Sequence, residues 1–146
     1  MMEARDPNFA ARVRASFAKQ RLMTTIGAEL TEVKPGRVTL RLPFRDDLTQ
    51  QHGFLHAGAI ATLADSACGY AALSMMPEGA GVLSIEFKVN MLSPATGDAV
   101  VARGEVIRAG KTVMVCRADV FSLAEGKEKL VAAMQATMMV AENVAD

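Results

Sequence analysis

Asp65 is the one formally charged side chain between Leu48 and Met76. A carboxylate in so apolar a run is costly to ionise unless a neighbour accepts it. Two readings are open: a satisfied buried polar group, or one facing a partner chain; and a general base or nucleophile. The residues just before it favour chemistry. Gln50, His52, Gly53, His56 and Gly58 precede or begin the apolar run. The first N–H groups of a helix have no intrahelical acceptor, and with the positive end of the dipole they can hold a developing oxyanion. His56 either plays a structural part or hydrogen-bonds a carbonyl or a water. His56 and Asp65 lie roughly 180° apart around a helix and about 13 Å apart along it. One substrate carbonyl does not readily meet both within a single chain. Two chains with helices side by side would bring them together, so the spacing predicts a site shared between subunits.

The elements that must carry these residues are legible from periodicity and turn signals. The stretch from Ala57 to Met76 reads as one long helix, apolar nearly all round and closed by Pro77 and Gly79. Asp65, Thr62, Ser66 and Ser74 argue against a transmembrane span, and the flanking strands need this helix for a core. Its many alanines and glycines let a sheet curl tightly over it. Six short segments read as strands: 29–33, 37–43, 82–92, 98–107, 112–123 and 130–140. Pro35-Gly36 is a turn between the first two, and residues 44–55 are a loop. Met114, Cys116, Ala118 and Val120 alternate with Arg117 and Asp119; Leu130, Ala132, Met134, Ala136 and Met138 repeat the pattern. Period two with short turns predicts an antiparallel sheet with one buried face. The fold class is α+β: five to six antiparallel strands wrapped around one long central helix. One domain over 1–146 is expected. An amphipathic helix is expected at about 6–23, with Pro7 in its first turn and Phe9, Val13 and Phe17 on one stripe.

Composition narrows the function further. Lys plus Arg and Asp plus Glu number 16 each, so the basic excess of a nucleic-acid binder is missing. Cys68 and Cys116 form no CxxC pair and sit in apolar runs, which reads as two buried reduced thiols. Two histidines without a Cys/His cluster make no zinc site. Charges at Glu3, Arg5, Asp6, Arg12 and Arg14 interrupt any secretory signal, and the cytoplasm is the expected compartment.

The stretch Gln50-Gln51-His52-Gly53-Phe54-Leu55-His56-Ala57-Gly58, followed by Thr62-Leu63-Ala64-Asp65, resembles the G-x-x-H-G-G … L-x-D signature of hot-dog-fold acyl-CoA thioesterases, nearest the phenylacetyl-CoA thioesterase branch. Residues 82–98 resemble that family's strand ending in a Pro-x-x-Gly-Asp turn, and 108–112 resemble its next hairpin turn. The resemblance implies a homodimer, usually a dimer of dimers, that hydrolyses acyl-CoA with no metal or cofactor beyond the CoA of its substrate. It implies that Asp65 attacks the thioester or activates water, that the Ala57 N–H polarises the carbonyl, and that His56 and Gln50 orient thioester or water. Ser84 takes the place of a water-holding Ser or Thr near Asp65, and Lys111 and Arg108 sit where the turn meets CoA. Gly58 belongs to the helix start, and Phe54, Leu55, Met75 and Met76 are candidates for the acyl wall. Two residues depart from the pattern: Ala57 stands for the first Gly of HGG, and Gln50 stands for an Asn. Rival activities are an acyl-CoA hydratase or dehydratase on the same fold and a non-catalytic acyl-CoA-binding protein.

Overall fold

Small residues set the centre of the molecule. The computed structural model describes residues 2–144. Its central helix, which lies third in the chain and is labelled α3, runs Ala57–Leu73. Ala64, Ala67, Ala71 and Ala72 on it are fully buried. The sheet strands are β1 (Glu29–Lys34), β2 (Arg37–Pro43), β3 (Gly81–Met91), β4 (Ala99–Ala109), β5 (Val113–Ala124) and β6 (Lys127–Ala141). They form one antiparallel sheet in the order β1-β2-β4-β5-β6-β3, and its inner face meets α3 along five strands, β2 to β6. This is the expected sheet around one helix.

The closest approach is between β4 and α3. A Cβ added at Gly104 would stand 2.3 Å from the carbonyl oxygen of Ala67. Only glycine lets the two backbones touch there. On either side of it Ala102 and Val106 fill the inner face, and Val38, Leu40, Val100, Met114, Val120 and Met138 complete the core.

The alternation expected of β5 is present: Met114, Cys116, Ala118 and Val120 are buried while Arg117 and Asp119 are exposed. On β6 it fails at one residue. Ala132 pairs with Val120 but Leu130 pairs with Phe121, so Val131 is the extra residue of a β-bulge. The bulge turns Val131 inward and leaves Leu130 41% exposed, on the opposite face from the one its spacing predicted.

Two helix boundaries also differ from expectation. The N-terminal helix is two helices, α1 (Phe9–Lys19) and α2 (Arg21–Ile26), broken where Gln20 takes φ −77°, ψ 98°. Pro7 lies in the turn before α1 and not in its first turn. The reason for the break is tertiary: Ser66 Oγ donates to Gln20 Oε1 at 3.1 Å and Gln20 Nε2 donates to Tyr70 Oη at 3.3 Å, so α3 holds the side chain where helical continuation would lose it. The central helix ends at Leu73, three residues early, and carbonyls at and just beyond that end are held by a donor from α1. Arg12 of α1 donates to the carbonyl oxygens of Leu73 (2.7 Å), Met76 (2.8 Å) and Pro77 (2.8 Å). Asp6, only 4% exposed, pairs with the same guanidinium at 3.2 Å. The Ser74 hydroxyl donates to Ala71 and accepts the Gly36 N–H at 2.8 Å, tying the β1–β2 turn to the same end. Among the described residues no helix is long and apolar enough to cross a membrane.

Gly104→Ala is expected to lower stability by at least about 2 kcal/mol, a fall in Tm of roughly 4–8 °C, since one backbone must move. Gly69→Ala is the control: its Cβ would meet nothing within 4 Å. Within α3 that alanine should raise stability by roughly 0.5–1 kcal/mol. Thermal melts of the two variants decide it.

Candidate active site

The chain from Thr49 to Gly58 builds the start of α3. Thr49 and Leu55 make an isolated antiparallel bridge, and the Gln50 N–H donates to the Phe54 carbonyl at 2.9 Å. Gly53 closes that loop at φ 83°. The Gln50 side-chain carbonyl accepts the His52 N–H, so part of its amide holds the loop. His56 is the N-cap of α3. Its Nδ1 accepts the Gly58 N–H at 2.7 Å, which puts the proton of the neutral ring on Nε2. Gly58 fits this cap for a steric reason: a Cβ there would sit 3.0 Å from His56 Nδ1. The Ala59 N–H goes to the His56 carbonyl, whereas the Ala57 N–H has no acceptor among the described residues. Gln50, Phe54, Ala57 and Ile60 line a cavity of about 350 Å³ with Met91 and Leu92 at the far end of β3.

Asp65 lies two turns further along α3, half-buried. The Ser84 hydroxyl donates to its Oδ1 at 2.7 Å. The expected Ser84–Asp65 juxtaposition is therefore present in one chain. Two cavities meet at Asp65. A polar one of about 170 Å³ is lined by Ser16, Gln20, Ser66, Tyr70 and Ser84. A larger one of about 600 Å³ runs beside Gly58, Ala61, Thr62, Leu22 and Phe87.

The turn bearing Arg108 and Lys111 is at the same end of the sheet. Ser84 pairs with Met138, Met138 with Met114, and Met114 with Ala109. That row places the turn three strands away, about 14 Å at ordinary strand spacing. Ser84 and Met91, by contrast, stand about 20 Å apart along β3. The expected site residues thus fall into two halves along the chain: Asp65, Ser84 and the basic turn at one end, and Gln50, Phe54, His56 and Ala57 at the other, with Gly58 on the larger cavity that reaches Asp65. Met75 and Met76 lie in the core at the end of α3, away from both.

Sequence reasoning missed the wall that α1 and α2 supply. Ser66 beside Asp65 and the lone Tyr70 one turn on were visible signals. Gln20 carries no signal, since glutamine is a good helix former and nothing local marks a break.

The thiols are where the sequence put them. Cys68 and Cys116 are both buried and free. Burial pushes Cys116 up from 9.0 to about 12, and Cys68 up as well, with the charges of Cys116 and then Asp65 adding to it. The unfolded chain ionises both near 9.0. The folded state therefore binds more protons above that value, and stability falls as pH rises from 9.0 toward about 12. Thermal melts across that window should show the loss, flattened in Cys68→Ala/Cys116→Ala. A thiol reagent at neutral pH should label neither cysteine until the protein is denatured.

Residues 52–129 match the model of the thioesterase superfamily. The crystal structure of a thioesterase family protein from Silicibacter pomeroyi is 50% identical, with a TM-score of 0.90 over 91% of this chain and 98% of that one. Human acyl-coenzyme A thioesterase 13 is 31% identical over 99 residues, 67% of this chain and 70% of that one. PaaI of E. coli, from the phenylacetic acid degradation operon, is 19% identical and superposes with a TM-score of 0.83 over 94% of this chain and 96% of its own, a likeness of fold alone. The matched stretch holds His56, Asp65 and Ser84, and the sheet wrapped around α3 is the fold of these neighbours: the chain belongs to the thioesterase superfamily and has its hot-dog fold.

Proposed function

We propose that the chain is an acyl-CoA thioesterase that hydrolyses an acyl- or aryl-acyl-CoA to free acid and CoA. One observation carries the reading: the carboxylate of Asp65, set in an apolar helix and held by Ser84 Oγ at 2.7 Å, faces two cavities. A thioester carbonyl is weakly stabilised by sulfur, so a base or nucleophile and an oxyanion donor suffice. Asp65 takes a proton from a water that attacks the carbonyl carbon, or itself attacks that carbon to form a mixed anhydride, which a water then cleaves to the free acid, giving up a proton and regenerating the carboxylate. The tetrahedral oxyanion is held by the Ala57 N–H at the positive end of α3. Collapse breaks the C–S bond, and the CoA thiolate takes up the proton. The Nε2–H of His56 and the free end of the Gln50 amide orient the carbonyl or the water. Ser84 fixes the carboxylate. Arg108 and Lys111 receive the pantetheine or phosphates of CoA. The reaction calls on no metal and no separate cofactor.

The two half-sites are completed by a second copy of the chain. β3 is an edge strand, paired only with β6. It exposes Leu83 (42%), Ile85 (53%) and Phe87 (44%). An unpaired apolar edge is a template for another strand. Antiparallel pairing of two β3 strands about their middle sets the Met91 end of one beside the Ser84 end of the other. Asp65 then meets Gln50, His56 and Ala57 of the partner subunit. The assembly is a homodimer or a dimer of dimers. Buried reduced thiols suit the cytoplasm as its compartment.

Thiol release from a panel of short-, medium-chain and aryl-acyl-CoAs tests the chemistry. Asp65→Asn is expected to lower kcat by about 10²–10⁴ with little change in KM. Equal rates for the two proteins refute the reading. The assembly is tested separately by sedimentation. Ile85→Lys should yield monomers with activity down at least about 100-fold; a fully active monomer refutes the shared site.

A further inference from the structure

We infer that the acyl group of each thioester is taken by the apolar cavity at the start of α3, in the subunit that supplies the Ala57 N–H, and that Met91 gauges its bulk. The inference rests on the thioesterase reading and its two-chain site above. On its own chain Asp65 is flanked by a polar chamber of about 170 Å³, lined by Ser16, Gln20, Ser66, Tyr70 and Ser84. An apolar acyl group gains little among those hydroxyl and amide groups. The cavity at the helix start is different in kind. Phe54, Leu55, Ile60, Met91, Leu92 and Pro94 supply its walls, and Gln50 and Ser93 are its polar side chains. Ile60, one turn in from Ala57 and 3% exposed, belongs to the core. Met91 is the wall that can change. It pairs with the fully buried Ala132, so its side chain is on the inner face of β3, yet it is 41% exposed.

The two substituents of the thioester carbon leave in different directions. CoA goes toward Arg108 and Lys111, on the strand row that Ser84 begins, and so stays with the chain that carries Asp65. Ala57 starts α3 and lines the apolar cavity. With the carbonyl oxygen at the Ala57 N–H and the sulfur toward the basic turn, the acyl carbon is directed into that cavity. The cavity measures about 350 Å³. One of about 150 Å³ accommodates a single benzene, so an apolar acyl group of roughly two-ring bulk fits here. A fused aromatic or an aliphatic chain of like volume fills it. An acetyl group leaves most of it unfilled and gains little apolar contact.

The test compares kcat/KM for acetyl-, butanoyl-, octanoyl- and naphthylacetyl-CoA in the full chain. Wild type is expected to favour naphthylacetyl- over acetyl-CoA at least about 10-fold, and Met91→Trp, which narrows the cavity, to lower that ratio at least about 10-fold. Leu22→Trp is the comparison, on the groove of about 600 Å³ beside Asp65. It is expected to leave the ratio within about threefold, because the CoA part of every substrate meets that groove alike. A fall with Leu22→Trp and none with Met91→Trp puts the acyl group beside Asp65 and overturns the inference. So does a ratio that neither variant moves, or an equal fall in both. If Met91→Trp does not fold or sediments as a monomer, Leu92→Trp, just past the end of β3, gives the same readout. Wild-type activity that does not depend on Asp65 defeats the thioesterase reading itself. Asp65-dependent activity with a bulk profile indifferent to Met91 and Leu92 defeats this inference alone.

Discussion

The contact on which the structure depends is the one where β4 touches the backbone of α3, with Gly104 against Ala67. A sheet can enclose a helix only if its middle strands come closer than ordinary side chains allow. Here the space is made from both sides, by glycine on the strand and by Ala64, Ala67 and Ala71 on the helix. The tight centre lets the sheet wrap the helix out to its edge strand β3, which meets α3 where Ser84 Oγ donates to Asp65 Oδ1 at 2.7 Å. The candidate site lies at that contact, beside the polar cavity lined by Gln20, Ser66 and Tyr70.

The same geometry explains why a carboxylate is tolerated in so apolar a helix. Asp65 is on the side of α3 turned toward β3, not toward β4. It can reach Ser84 and open space, so it escapes the full cost of burial. Cys68, one turn on, faces the core and pays that cost as a thiol that stays protonated. Two residues three positions apart thus have opposite chemical characters, set by which part of the sheet each one meets.

Much of this was legible in the sequence, and the exceptions share a cause. The alternation of Met114 to Val120, the glycine and proline turns, and the long apolar helix are local patterns, and each marked its element. Asp65 announced itself by being alone, and its spacing from His56 already set the two apart along one helix. What the sequence did not display depends on contacts between distant segments. The bulge at Val131 adds one residue against β5 and reverses Leu130. The break at Gln20 goes with Ser66 and Tyr70 holding its side chain, and the end of α3 with Arg12 reaching the carbonyls of Leu73, Met76 and Pro77. The site wall formed by α1 and α2 was invisible for the same reason. Nothing within the first 26 residues says which part of the helix they cross.

The Arg12 clamp has a consequence for how the molecule opens. A helix ordinarily frays from its last turn, where the carbonyls have only water to bond. At the end of α3 the Leu73 carbonyl, and those of Met76 and Pro77 just beyond it, accept from a guanidinium on α1, itself paired with the buried Asp6. The last turn cannot loosen alone without stranding a buried charge. Detachment of α1 and melting of the end of α3 are therefore one cooperative event. Amide exchange at that end of the central helix reports the docking of the N-terminal segment, and so does the integrity of the chamber the segment walls.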